Sequence, residues 1–452
     1  MNVAIGEGQR AEQSNQPLKW LSTILWPEGQ ARLVPGKGTG AVVGGGNGEI
    51  HVGLQWWASP DSDEARILIP ATSREAARTA VRRYHDGFTV GRRVRSWAAE
   101  TAMRSPNLAR TVLGSNRVTV EGRPTEGVLS ALAETLAAGN PNMTELHVAV
   151  SLAGPKSNRK PVLQLIDQDG VCLGWAKIGW NEWTADLLDN EARWLQTRPE
   201  LPLITPNLIE DVTIGGHKVV VTSGMVAGRW PKRSQPSPDP ALLLAVANLG
   251  PRTTAPLADL PWWSSVENVL PVATAGEAAA IERVVADTKG LVFEIGCWHG
   301  DLTPWNIMTV RAPKAGISRI LAPFKDSVYQ VIDWEFAADG VPLGLDLCHY
   351  HTQVASEMKH MSADQALDHS ARLSPQGLAG LGIDPHNQIA VYRLYLVELI
   401  RRTLALRAAG MPLGEVNQGA AAVRRIRADL LSPSLSRSTL ENQRRPTADV
   451  QR

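Results

Sequence analysis

The chain has 452 residues, and its 46 Lys and Arg nearly balance its 45 Asp and Glu, so charge gives no reason to expect nucleic acid or a membrane as partner. Three scattered cysteines form no metal-binding spacing and no disulfide framework, and no apolar run reaches the roughly 18 residues of a membrane span. We therefore expect a cytoplasmic protein of about two or three globular domains.

The N-terminal part of the chain predicts an accessory module of mixed strands and helices. Residues 1–17 are polar and are predicted to be disordered, and two strands are expected between residues 50 and 70. A helix is predicted from Thr72, with Thr72 and Glu75 as its capping box and an alanine-rich apolar face. These patterns indicate an α/β module over residues 18–140.

An arginine-rich segment extends from this predicted helix. Residues 74–110 carry nine arginines against three acidic residues, a local excess of +6. One interpretation is a surface for an acidic or polyanionic partner, and the other is the solvated face of two amphipathic helices. Charged residues on amphipathic helices commonly face water, which favours the second interpretation.

Alternating apolar residues predict an antiparallel five-stranded sheet over residues 141–226. A helix over residues 183–197, ending before Pro199, separates the third strand from the fourth. The last two strands form a hairpin around Gly215 and Gly216. The predicted strands are residues 147–152, 162–166, 171–178, 208–212 and 218–222.

The remainder of the chain, residues 227–431, is predicted to be mainly helical. Residues 389–404 are apolar on most sides, which predicts a central buried helix that begins at Asp384 and Pro385. The tail, residues 432–452, is rich in Ser, Arg and Pro and is predicted to be disordered. The predicted helices are residues 240–249, 275–289, 346–360 and 385–409.

Three oxygen-bearing side chains in this region have the spacing of a phosphoryl-transfer site. Asp301 and Asn306 lie five residues apart in HGDLTPWNI, and Asp333 follows a short predicted strand in VIDWE. Phosphoryl transfer needs one carboxylate to accept the proton of the attacking hydroxyl, and hard oxygen ligands for Mg²⁺ at the nucleotide phosphates. Asp301 fits the first role, and Asn306 and Asp333 fit the second.

These two motifs resemble the aminoglycoside phosphotransferase and choline kinase family, over about residues 145–410. The resemblance implies an α+β, bilobal protein-kinase-like fold, with a small antiparallel sheet in the N-lobe (141–226) and a mainly helical C-lobe (227–431). The extra N-terminal α/β module has no counterpart in the family. ATP as co-substrate and Mg²⁺ as cofactor are implied with it.

The resemblance also implies roles for individual residues. Lys177 matches the kinase lysine that binds nucleotide phosphates, and Glu191 matches the glutamate that pairs with it, although an exposed strand-end charge and a solvated helix face remain alternatives. His299 and Asp346 match residues that support the catalytic loop. Glu335 matches a structural residue or a further metal ligand.

The loop between the first two strands of the sheet, residues 154–160, matches the family's phosphate-covering loop. It has one glycine instead of a glycine series, so Ser157, Lys156 or Arg159 is expected to contribute side-chain contacts to the phosphates.

The resemblance implies transfer of the γ-phosphoryl group of ATP to a hydroxyl of a small molecule, of the aminoglycoside, choline, sugar or amino-alcohol type. The alternative is a non-catalytic kinase-like module that binds nucleotide for regulation. A protein kinase is disfavoured, because the loop reads His-Gly-Asp where protein kinases have His-Arg-Asp. The sequence does not identify the acceptor.

Overall fold

The computed structural model describes residues 16–36, 42–43, 50–59, 61–84, 116–124, 126–152, 158–197, 203–225, 237–311, 327–413 and 418–431. The chain divides into two compact units. The first comprises Met1–Gln235 and Pro304–Ala337, and the second comprises Pro236–Thr303 and Ala338–Arg452. Pro304–Ala337 thus groups with the sheet-containing unit, whereas the sequence analysis assigned it to the helical region.

The strands are β1 (Ala31–Pro35), β2 (Val42–Val43), β3 (His51–Gly53), β4 (Gln55–Ser59), β5 (Ile67–Pro70), β6 (Arg117–Gly122), β7 (Glu145–Ser151), β8 (Val162–Asp167), β9 (Cys172–Gly179), β10 (Leu203–Ile204), β11 (Leu208–Ile214), β12 (His217–Ser223), β13 (Thr253–Pro256), β14 (Val292–Trp298), β15 (Ile307–Arg311), β16 (Ser327–Val331) and β17 (Ala338–Pro342). The α-helices are α1 (Pro17–Leu25), α2 (Arg74–Tyr84), α3 (Val128–Gly139), α4 (Glu182–Thr197), α5 (Pro240–Ala247), α6 (Pro261–Glu267), α7 (Ala275–Asp287), α8 (Leu345–Gln353), α9 (Ala363–Gly380), α10 (Pro385–Ala408) and α11 (Gln418–Leu431).

The predicted five-stranded sheet is present in the first unit, in the order β7-β8-β9-β12-β11 with antiparallel pairing throughout. It does not end at β7. Strands of the expected accessory module continue it in the order β1-β6-β4-β5-β7, and β3 also pairs with β7 in parallel. Among the described residues, these strands and the short β2 make one sheet of eleven strands.

One hydrophobic core spans both parts of this sheet. Trp20 and Trp56 from the N-terminal segment share a buried cluster with Leu146, Leu163 and Val219 from the later strands. The indole nitrogen of Trp56 also donates to the carbonyl of Val148 at 2.6 Å. The sequence boundary drawn at residue 140 therefore crosses a continuous sheet and a continuous core.

Helix α2 packs on the sheet through the expected alanine-rich face, with Ala76, Ala77, Ala80 and Val81 buried. The predicted capping box is wrong. The Thr72 hydroxyl lies 3.1 Å from Nδ1 of His147 and so makes a tertiary contact, while the hydroxyl of Ser73 accepts from the amide of Ala76. Only the first part of the arginine-rich segment lies within the described residues.

The second unit is mainly helical. The central helix α10 begins as predicted, with the Asp384 carboxylate accepting from the amide of His386. Its middle turns, from Ala390 to Leu404, are largely buried. A small antiparallel sheet, β13-β14-β17, completes this unit, and β14 leads directly into the loop at His299.

The expected α+β class, with antiparallel strands ahead of a mainly helical region, is confirmed. Among the described residues, no helix combines the length and the apolar character needed to cross a lipid bilayer. None of the three cysteines forms a disulfide. The two segments expected to be disordered, residues 1–17 and 432–452, lie outside the described residues apart from positions 16 and 17.

Candidate active site

The first group of candidate-site residues, the Lys177 group, lies around Lys177 in the first unit. Lys177 lies near the end of β9, where strand pairing with Val162 and Val220 fixes its backbone on both sides. Its ammonium nitrogen lies 2.7 Å from both carboxylate oxygens of Glu191 on α4, and 2.5 Å from Oδ1 of Asp333. Strand, helix and loop thus meet at one ammonium group.

Both members of the lysine–glutamate pair are removed from water. The Lys177 side chain is 15% exposed and that of Glu191 is 3% exposed, so neither is the solvated surface charge considered from the sequence. Burial alone lowers the pKa of Lys177, but the charges of Asp333 and Glu191 outweigh it, and the net pKa is raised. Burial raises the pKa of Glu191, with Lys177 opposing that effect.

Asp333 and Asn306 occupy the ends of two paired strands. Asn306 directly precedes β15 and Asp333 follows β16, and these strands pair antiparallel with Ile307 opposite Val331. The backbone carbonyl of Asn306 accepts from the amide of Ile332 at 3.1 Å. Asp333 has a φ of 71°, a left-handed conformation that is uncommon outside glycine and is enriched at functional positions.

A second lysine–carboxylate pair lies beside the first. Nζ of Lys160 is 2.6 Å from Oε2 of Glu335, and both side chains are buried. Asn158 also donates to Oε1 of Glu335 at 3.2 Å. Burial raises the pKa of Glu335, and the charge of Lys160 opposes that effect. Glu335 therefore holds the end of the loop that precedes β8.

Helix α4 fixes the segment that carries Asp333 and Glu335. Asn190 donates to the backbone carbonyls of Glu335 and Ala337 at 3.1 and 2.9 Å. The ring of Trp194 stacks on that of Trp334 with centroids 6.4 Å apart. One helix therefore positions both Glu191 and the segment with the candidate metal ligand.

Three carboxylates of this unit lie close enough together to hold a metal ion. Oxygen atoms of Glu191, Asp333 and Glu335 lie within 4.8 Å of one another, and Mg²⁺ prefers such carboxylate ligands. Two ammonium groups, of Lys177 and Lys160, face these three carboxylates. The cluster thus carries one more acidic than basic group, which favours an added cation.

The second group of candidate-site residues, the Asp301 group, lies in the loop at residues 299–301 of the second unit. Buried Asp346, on α8, accepts from the backbone amides of His299 at 2.8 Å and Gly300 at 3.0 Å. Burial raises the pKa of Asp346 to about 6 even though these two donors favour its charged form. Gly300 has a φ of 78°, which turns the chain so that consecutive amides face one carboxylate.

Helix α10 holds the same loop from another direction. Nη2 of Arg402 donates to the carbonyl of Gly300 at 2.6 Å, and its guanidinium lies 5.1 Å from the ring centroid of Trp298. Fully buried Glu398 binds Arg402 at 2.7 Å and Arg401 at 2.6 Å. The indole of Trp262 donates to Glu398 at 2.8 Å, so a buried network supports Arg402.

Asp301 itself has a histidine partner. Nε2 of His349 lies 3.1 Å from Oδ1 of Asp301, and the amide of Asp301 donates to Nδ1 of His299 at 3.2 Å. His349 is three residues after Asp346 on α8, so both project from one face of that helix.

The structure gathers the predicted residues into two groups. Lys177, Glu191, Asp333 and Asn306 lie in the first unit, and His299, Asp301 and Asp346 lie in the second. Ser157 and Lys156 lie outside the described residues. Arg159 is directed elsewhere than expected: it donates to the carbonyl of Leu152, and its guanidinium lies 4.0 Å from the centroid of the Trp20 ring.

Sequence reasoning missed the supporting residues Lys160, His349, Glu398 and Arg402. The spacing of His349 from Asp346 was a usable signal, because it predicts a shared helical face. The spacing of Glu398 from Arg401 and Arg402 is likewise that of helical ion pairs, but nothing local connects them to residue 300.

No family model matches the chain, and no curated protein matches it. Among solved structures it is similar to a thermostable mutant of aminoglycoside phosphotransferase APH(4)-Ia, with 12% identity, 67% of this chain and 99% of that chain covered, and a TM-score of 0.39. It is also similar to macrolide 2'-phosphotransferase MphH from Brachybacterium faecium, with 14% identity, 65% and 96% covered, and a TM-score of 0.37. Identities and TM-scores this low assign no reaction to this chain, and its function must be inferred from its own residues.

Proposed function

We propose that the chain is an ATP- and Mg²⁺-dependent phosphotransferase of protein-kinase-like fold that phosphorylates a hydroxyl of a small molecule. The observation that carries the proposal is the placement of Lys177, which contacts Glu191 at 2.7 Å and Asp333 at 2.5 Å. A buried lysine held between a helix glutamate and a loop aspartate is the arrangement that kinases use for nucleotide phosphates.

Each residue then has a defined part. Lys177 binds the nucleotide phosphates, Glu191 orients Lys177, and Asn306 and Asp333 would hold Mg²⁺. Mg²⁺, when bound, neutralises charge on the phosphate oxygens. Asp301 orients the acceptor hydroxyl and takes its proton while the acceptor oxygen bonds to the γ-phosphorus and the bond to ADP breaks. The amides held by Asp346 keep the Asp301 loop in place.

The proposed acceptor is a small molecule of the aminoglycoside, choline, sugar or amino-alcohol type, and the proposed location is the cytoplasm, where ATP is available. Ser157 and Lys156 are proposed as further contacts to the phosphates. Residues 74–110 are proposed as a surface for an acidic partner only as the lesser of the two interpretations given above.

The test is a phosphorylation screen of a metabolite library with Mg·ATP, in which ADP release and the mass of the product are measured. The Asp301→Asn variant is the matched blank, because it keeps the shape of the side chain and loses its basicity. We expect one acceptor class to give product only with the wild-type chain. Mg²⁺-dependent thermal stabilisation by ATP without product from any acceptor would contradict an enzyme and indicate a non-catalytic nucleotide-binding module.

A further inference from the structure

His349 is a buried histidine whose two ring nitrogens contact different partners. Nε2 lies 3.1 Å from Oδ1 of Asp301, and Nδ1 lies 3.4 Å from the hydroxyl of Tyr395 on α10. The rings of His349 and Tyr395 meet edge to face at 6.1 Å. The side chain of His349 is 3% exposed, whereas that of Asp301 is 24% exposed. The imidazole thus approaches the proposed catalytic carboxylate from the protein interior.

These contacts select one tautomer of His349. An ionised carboxylate only accepts hydrogen bonds, so the contact of Nε2 with Oδ1 of Asp301 requires the imidazole proton to be on Nε2. In a neutral imidazole Nδ1, which lies 3.4 Å from the Tyr395 hydroxyl, then carries no proton. The Nε2–H group therefore donates to Oδ1 of Asp301.

The surroundings also keep the imidazole neutral. Burial and then the charge of Arg402 hold the pKa of His349 well below its ordinary value, while Glu398 opposes them. The groups that face His349 are Asp301 from the loop, with Tyr395, Glu398 and Arg402 from α10. Because the protonated form of His349 is disfavoured in this environment, its contact with Asp301 orients the carboxylate and does not relay a proton.

We propose that His349 is a positioning residue for Asp301, and that its Nε2–H group fixes the direction in which the carboxylate presents its oxygens to the acceptor hydroxyl. This inference rests on the proposed phosphotransferase function. An oxygen held from the interior stops rotation about the Cβ–Cγ bond of Asp301, so the second oxygen also has a fixed direction. A donor to the carboxylate further favours the ionised form that accepts a proton.

The test compares two replacements of His349. In His349→Gln the side-chain amide nitrogen can replace Nε2 as a donor, whereas His349→Leu keeps the bulk and has no donor. With Mg·ATP and the acceptor found in the screen, we expect His349→Leu to lower kcat by about 10- to 100-fold, the effect of losing one hydrogen bond to a charged group, with KM for ATP unchanged. We expect His349→Gln to recover most of that loss.

The pH profile separates positioning from a merely structural role. Loss of the Nε2–H donor disfavours the ionised carboxylate, so the acid limb of the kcat profile should move to higher pH in His349→Leu and return in His349→Gln. The matched control is His351→Leu on the same helix, because buried His351 contacts Ser237 at 2.7 Å and Ser374 at 3.3 Å. The control should lower the melting temperature without moving the acid limb.

An independent readout is the ¹⁵N spectrum of histidine-labelled protein. We expect His349 to show the tautomer protonated at Nε2, with a resonance that shifts in Asp301→Ala. An Nδ1-protonated His349, or a His349→Gln variant no more active than His349→Leu, would overturn the inference while leaving the phosphotransferase intact. Absence of turnover in the wild-type chain would overturn the proposed function and this inference together, so the two failures are distinguishable.

Discussion

The Lys177 group and the Asp301 group differ in how their charged side chains are paired. Around Lys177, three carboxylates and two ammonium groups lie within contact distance, and every charge is held by another charge. Around Asp301, the partners are His349, whose pKa is held low mainly by burial, and a loop whose backbone amides bind Asp346. Of the nearby arginines, Arg401 and Arg402 both contact Glu398, and Arg402 also donates to the backbone carbonyl of Gly300.

This difference matches the two tasks of the proposed phosphotransferase. A site for nucleotide and metal must bind charged ligands, so its charged side chains must be able to exchange contacts with one another for contacts with those ligands. A catalytic base must change its own charge during the reaction, and a fixed charge beside it would bias that step. We therefore expect substitutions in the Lys177 group to change mainly the affinity for nucleotide, and substitutions in the Asp301 group to change mainly kcat.

The largest expected effect is in the Asp301 group. Asp301→Ala should lower kcat by about 10²- to 10⁴-fold, because it removes the proposed acceptor of the hydroxyl proton. Nucleotide affinity, measured by calorimetry with Mg·ATP, should stay within a few-fold of wild type. A collapse of nucleotide affinity in this variant would contradict this separation of binding from turnover.

A stability effect comes next. Glu398→Gln removes a buried charge that binds two arginines, and breaking such a network costs about 3–5 kcal/mol of unfolding free energy. The pKa of Glu398 is lowered to about 2, since Arg401 and Arg402 overcome the effect of burial. The stability it contributes is therefore present above its unfolded pKa near 4.5 and is lost as pH falls toward 2.

Urea unfolding from pH 7 to pH 2 measures this contribution. The stability difference between wild type and Glu398→Gln should shrink as pH falls through that window. The charge-preserving variant Glu398→Asp is the control, because it keeps an acid with the same pH dependence. A difference that stays constant down to pH 2 would contradict an ionised Glu398 as the support for Arg402.

A smaller effect on the free energy of unfolding is expected for Lys160, the second lysine of the Lys177 group. Lys160→Met leaves buried Glu335 without its cation and should cost about 3 kcal/mol of unfolding free energy. In Lys160→Met combined with Glu335→Gln no unpaired charge remains, so the loss should be smaller than the sum of the single losses. Strictly additive losses would mean that this pair contributes nothing as a pair.

The smallest expected effect tests the metal ligand. Asp333→Ala should weaken Mg·ATP binding by about tenfold, because it removes one oxygen ligand and one partner of Lys177. Binding of ATP in the presence of EDTA should change less, and the ratio of the two affinities is the measurement. Equal weakening with and without Mg²⁺ would assign Asp333 to Lys177 alone.

Patterns of neighbouring residues in the sequence predicted individual strands and helix starts. Alternating apolar residues marked β7, β8, β9, β11 and β12, and Asp384 before Pro385 marked the start of α10. The contact of Lys177 with Glu191 followed from the resemblance, since only the family pattern relates a strand lysine to a helix position fourteen residues later.

The remainder depends on contacts between residues far apart in the chain. Thr72 satisfied a local capping pattern but contacts His147, 75 residues later. Arg159 suited a phosphate contact by its position, yet its guanidinium lies on Trp20. Pairing of β5 with β7 joins Ile67 to Ser151, and no local pattern encodes a partner at that distance.

The continuous sheet has a consequence for dissecting this protein. A truncated chain that starts at residue 141 would leave β7 as an exposed sheet edge, because β3 and β5 both pair with it. It would also uncover the apolar side chains that pack against Trp20 and Trp56. Open edges and bare apolar faces promote aggregation. The N-terminal segment is therefore an integral part of the sheet and core of the first unit and not a removable attachment.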